Sequence, residues 1–187
     1  MSENRAHKGE SKEARLKRFQ NGSPVEVIET ILNSIANFFN NEIRLTPDNY
    51  QTSLLFLGIH AASLTIGEAF FNQKTELENY KKFLETFVDG PTGDTRFSTI
   101  AESIHYWRNI LAHQWLGSLG HKIGYDYEMT SGWEKRDDVI FVNPKIYCEH
   151  YLNAFGRNGK LWDYQDIFTE TELETIKQRL IDKYIRR

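Results

Sequence analysis

The stretch LLFLGIHAASLTIGEAFF, residues 54–71, decides the fold class of this chain. Wound as a helix, it carries Leu54, Leu55, Leu57, Ile59, Ala61, Ala62, Leu64, Ile66 and Ala69 around most of its circumference. A helix with no continuous polar side belongs at the centre of a bundle. Gly58, Ala61 and Ala62 allow neighbouring backbones to approach closely. His60, Ser63, Thr65 and Glu68 interrupt the apolar run and make it a poor membrane span. His60 and Glu68 are its unusual members, readable as satisfied polar groups at a helix edge and kept as supporting site candidates.

Outward from this centre, start signals repeat. Ser23-Pro24-Val25-Glu26 offers an N-cap hydroxyl, a proline at the first helical position and a glutamate three residues on. Val25, Ile28, Ile31, Leu32, Ile35 and Phe39 follow at helical spacing. Thr46-Pro47-Asp48 gives the same signal for the central helix, predicted to run to about Phe71. Thr75-Glu76-Leu77-Glu78 caps a third helix, with Leu77, Tyr80, Leu84 and Phe87 on its apolar face. After the loop Asp89 to Asp94, a fourth helix is predicted from about Thr95 to Leu116.

Beyond Gly117 the pattern changes. Ile123 to Met129 and Val139 to Val142, flanking Thr130-Ser131-Gly132, predict a β-hairpin over about 123–142. Asn143-Pro144 opens a helix through Phe155, and Thr169 caps a last one with Leu173, Ile176, Leu180 and Tyr184 as its buried stripe. The expectation is an all-α fold: an up-and-down helical bundle with a small β-hairpin insertion and C-terminal helices. It reads as one domain over 23–187, preceded by a basic, partly disordered arm over 1–22 with a local charge of +3.

The 187 residues are 40% hydrophobic and 26% charged, which suits a globular chain with a sizeable core. The net charge of −3 averages that arm and a body of −6, so no global basic field points to nucleic acid or to an anionic membrane. The first residues lack the apolar core of a secretory signal, and a cytoplasmic location is expected. A single cysteine, Cys148, excludes an internal disulfide and reads as a buried, inert thiol. HExxH, P-loop, GxGxxG and GxSxG patterns are all missing, and the six histidines do not fall at metal-ligand spacing. Neither a metal nor an organic cofactor is expected.

One segment of the fourth helix remains, Tyr106-Trp107-Arg108-Asn109-Ile110-Leu111-Ala112-His113. Asn109 and His113 share a face, with Glu102 and Tyr106 extending the same polar stripe. Arg108 falls among Ile104, Leu111 and Trp115, on the side that faces protein. A guanidinium there needs a partner such as Glu68 or an anionic ligand, because an unpaired buried charge is costly. Histidine exchanges protons near neutral pH, and arginine holds a phosphate by two parallel hydrogen bonds. An amide can orient either an imidazole or a ribose hydroxyl. Together they suffice for metal-free RNA cleavage, with His105 and Tyr106 as possible supporting residues.

This segment resembles the signature of the HEPN superfamily: an arginine, a polar residue and then a histidine, late in an α-helical bundle. Arg108, Asn109 and His113 fit it with four intervening residues, and about 23–117 corresponds to the family core. The resemblance implies a homodimer whose paired motifs form a metal-independent endoribonuclease site, in toxin, antiphage or stress RNA cleavage. It also implies 2′,3′-cyclic phosphate products and an antitoxin or regulatory partner. Trp115 stands where one toxin subfamily carries a tyrosine, and the 118–187 extension has no counterpart in the minimal core. A non-catalytic helical module for dimerisation, or for nucleotide or RNA binding, is the alternative.

Overall fold

The computed structural model describes residues 11–114 and 122–184. Within them the chain forms eight α-helices and one three-stranded mixed sheet. Helix α1 (Lys12–Asn21) is capped by the Ser11 hydroxyl and buries Phe19. Residues 1–10 of the expected arm lie outside the described residues. Helix α2 (Pro24–Phe38) starts at Ser23, whose hydroxyl accepts from the Glu26 amide at 3.2 Å. It runs on through a π-helical turn, Phe39–Ile43.

The central helix, α3, spans Thr52–Phe71 and so begins later than Thr46-Pro47-Asp48 predicts. The Thr46 hydroxyl donates back to the Ile43 carbonyl instead of capping a following helix. Tyr50 then takes a positive φ of 56°, which no helix accommodates. Helix α4 (Glu76–Phe83) has the full capping box at Thr75 and Glu78, and packs so closely on α3 that a Cβ at Gly67 would lie 2.7 Å from the Asn79 carbonyl oxygen. Helix α5 (Ala101–Gln114) is preceded by two 3-10 turns, Gly93–Thr95 and Phe97–Ile100, so it starts after the predicted Thr95.

The all-α expectation is corrected by the sheet. Strand β3 (Val139–Val142) lies in the middle, with β1 (Ile123–Tyr125) and β2 (Trp133–Arg136) on its two edges. The predicted hairpin partner, β1, pairs with β3 in parallel, Ile123 opposite Ile140 and Tyr125 opposite Val142. The antiparallel partner is β2, joined through Asp137-Asp138, with Asp137 at φ 51°. Tight hairpin turns demand such positive φ values. The wholly apolar β3 is paired along both edges, while the charged residues Glu134, Lys135 and Arg136 sit on an outer strand.

The up-and-down arrangement is corrected as well. Helices α6 (Pro144–Phe155) and α8 (Glu170–Tyr184) both pack on α2 and α3, with the single-turn α7 (Tyr164–Ile167) leading into α8. The C-terminal helices therefore cover the same core as the first four and are not appended to it. The cause is α3 itself, since an element apolar on most faces needs more cover than its sequence neighbours can give. Leu173, Ile176, Leu180 and Ile181 supply one side, and Tyr147, Tyr151 and Phe155 another, with Phe39 stacked on Phe155 at 4.6 Å. By length and composition α3 could cross a membrane, but more than half of it is buried inside this fold.

Candidate functional site

Helix α5 is seated by Ile104, Trp107 and Leu111, all buried. Trp107 lies 4.6 Å from Phe56 of α3 and 6.2 Å from Tyr125 of β1, ring centre to ring centre, so it fixes the helix against both. With that stripe inward, His105, Arg108 and Asn109 fall along one flank, each half-buried. Glu102 and Tyr106 point outward and are exposed. His113 lies on the same helix four residues after Asn109, but its side chain is outside the described residues, as is Trp115.

The Arg108 guanidinium donates from Nη1 to the Asn109 side-chain oxygen at 2.7 Å. Asn109 thus holds the arginine, whereas the sequence suggests an amide that orients an imidazole or a ribose hydroxyl. Among the described residues no carboxylate forms an ion pair with Arg108. Glu68, the partner considered from sequence, is paired with Lys183 of α8 and lines a separate cleft with Glu76, Arg179 and Asp182.

Beside Arg108 lies a histidine pair. His60 of α3 is fully buried, and its Nε2 is 2.9 Å from Nδ1 of His105. Its other ring nitrogen, Nδ1, is buried without a hydrogen-bond partner among the described residues. Burial, the positive Arg108 and then His105 push the His60 pKa down to about 3, so this imidazole is neutral. His105 is also lowered, first by burial, while Glu76 of α4 acts to raise it and Arg108 to lower it.

Tyr80 of α4 packs against the pair from the inside, its ring 4.4 Å from that of His60. From Tyr80 a chain of hydrogen bonds runs inward through Tyr147 (2.6 Å), Tyr151 (3.3 Å) and Ser63 (2.8 Å) to the Ile59 carbonyl (2.7 Å). The carbonyl end sets the direction, because it can only accept: Ser63, Tyr151, Tyr147 and Tyr80 each donate onward. Burial raises the pKa of all three phenols, so they stay protonated. In sequence Tyr147 and Tyr151 show only a spacing of four residues, which carries no sign of their bonds to α3 and α4.

The structure therefore brings together His60, His105, Arg108 and Asn109 from the candidate residues, pairs Glu68 elsewhere with Lys183, and leaves Glu102 and Tyr106 on the exposed side of α5. Among the described residues no group of three or more histidine, cysteine or acidic side chains could hold a metal ion. The assembled groups can bind an anion and present an uncharged imidazole beside it. No family model, curated protein or solved structure matches the chain.

Proposed function

We propose that this chain is a metal-independent endoribonuclease of the HEPN kind, acting as a cytoplasmic homodimer in toxin, antiphage or stress RNA cleavage. The observation that carries this reading is the half-buried Arg108 guanidinium, hydrogen-bonded to a neutral amide and without a carboxylate partner among the described residues. A cation so placed is stabilised most by an anionic ligand, and a phosphodiester matches its fork of donors. In the reaction the ribose 2′-hydroxyl loses its proton and attacks the adjacent phosphorus. The bond to the 5′-oxygen breaks, and that oxygen takes up a proton. Arg108 offsets charge on the phosphoryl oxygens, Asn109 holds the guanidinium, and His113 transfers protons. The partner chain contributes a second motif to the same cleft, and an antitoxin or regulatory protein would act by covering it.

The test is incubation of purified chain with mixed RNA in EDTA, alongside Arg108→Ala and His113→Ala. Wild type cleaves, and each variant is slower by about 10²-fold or more. Equal cleavage by all three, or activity that disappears on chelation, overturns the assignment. In that case the site serves assembly or ligand binding instead.

A further inference from the structure

The two imidazoles of His60 and His105 face each other through one hydrogen bond, Nε2 to Nδ1 at 2.9 Å, so one nitrogen must donate and the other accept. If His105 donated from Nδ1, His60 would carry its own proton on Nδ1. That would bury an N–H with no acceptor, at about 1–3 kcal/mol. If His60 donates from Nε2, its Nδ1 is left as a bare ring lone pair, the less costly orphan. His105 then accepts at Nδ1 and keeps its single proton on Nε2. Protonating His105 further would put two N–H groups face to face or force His60 into the costly tautomer.

The groups around the pair act in the same sense, with one exception. Arg108, on the same helix as His105, opposes positive charge on both rings. Tyr80 of α4 is an uncharged phenol against His60. Only the exposed Glu76 of α4 favours an imidazolium at His105, and it does not outweigh burial.

We propose that His60 is a positioning residue that locks His105 as a neutral imidazole, whose Nε2–H donates beside Arg108 to a phosphoryl oxygen. The phosphoryl identity of the ligand rests on the ribonuclease reading; the lock does not. His105 is then a neutral hydrogen-bond donor, which leaves proton transfer to a different group.

Long-range proton–nitrogen NMR of the full ¹⁵N-labelled chain reads the tautomer directly. Above about pH 7, His105 is expected to show an acceptor-type Nδ1 and a protonated Nε2, with its midpoint below ~6.5. In His60→Phe the fixed tautomer is lost and its midpoint returns toward ~6.5. Inorganic phosphate shifts the Nε2–H signal of wild type, and Arg108→Ala weakens that response about tenfold or more. His105→Gln, which keeps an uncharged N–H donor, retains phosphate binding within about threefold, and His105→Ala loses it.

A wild-type His105 that carries its proton on Nδ1, or titrates near ~6.5, overturns the lock. Phosphate that leaves Nε2–H unmoved overturns the donor role. Should His60→Phe fail to fold, the wild-type spectrum decides alone. The fixed tautomer without RNA cleavage supports the lock and removes the ribonuclease reading; cleavage with His105 titrating near ~6.5 does the reverse.

Discussion

The Nε2 of His60 and the Nδ1 of His105 lie 2.9 Å apart, a hydrogen bond that joins the central helix α3 to α5 at the position where Arg108 emerges. The same buried ring thus belongs to the core of the fold and touches the candidate site.

Its burial has a pH signature. His60 has a folded pKa of about 3 against ~6.5 unfolded, so as pH falls the unfolded chain takes up the proton first. The stability contributed by the neutral ring is complete above about pH 6.5 and is lost progressively toward pH 3. By pH 5 the loss from this one group is about 2 kcal/mol. His105, shifted the same way, adds to it. Urea unfolding at pH 7.5 and pH 5 should show this decline in wild type and a weaker one in His60→Phe. Parallel declines in the two proteins would remove His60 as the cause.

The phenol chain makes a directional prediction. Tyr147→Phe leaves the Tyr80 hydroxyl, its donor, facing no acceptor, and is expected to cost about 1–3 kcal/mol. Tyr80→Phe removes the terminal donor while Tyr147 still donates to Tyr151, and should cost less. Chemical denaturation of both variants gives the order, and a costlier Tyr80→Phe would mean the chain runs the other way.

Gly67 tests the close approach of α3 and α4. A methyl group there would lie 2.7 Å from the Asn79 carbonyl oxygen and 3.1 Å from its carbonyl carbon, both backbone atoms that cannot swing aside. Gly67→Ala should therefore destabilise by about 1–3 kcal/mol, although alanine is the better helix former. A thermal melt at or above the wild-type midpoint would show that the helices separate freely.

Local signals were readable from the chain because the groups that carry them are neighbours in sequence. Ser23, Thr75, Asn143 and Thr169 each accept from an amide two or three residues on, and each marks a helix start. Thr46 has the same residue type and the same following proline, yet its hydroxyl returns to Ile43, a choice made by the π-helical turn before it. The sheet departs from the expected hairpin because β1 pairs directly with β3 and skips β2, which lies between them in sequence, and alternation in sequence names no partner. Cys148 was legible as a buried thiol, its pKa pushed up to about 12 by burial. For the site, helical spacing placed Arg108 on the inward side. It could not show that a histidine 45 positions from His105 would meet it, because facing depends on how α3 and α5 cross.

The most direct measurement of the central claim is the chemistry of the product ends. A defined RNA oligonucleotide and its 2′-O-methyl counterpart are incubated with the chain in EDTA, and the fragments are identified by mass. The account predicts 2′,3′-cyclic phosphate and 5′-hydroxyl ends from the RNA, and no fragments from the methylated strand, whose 2′-oxygen cannot attack. Intact RNA, 3′-hydroxyl ends, or equal cleavage of the methylated strand would contradict it.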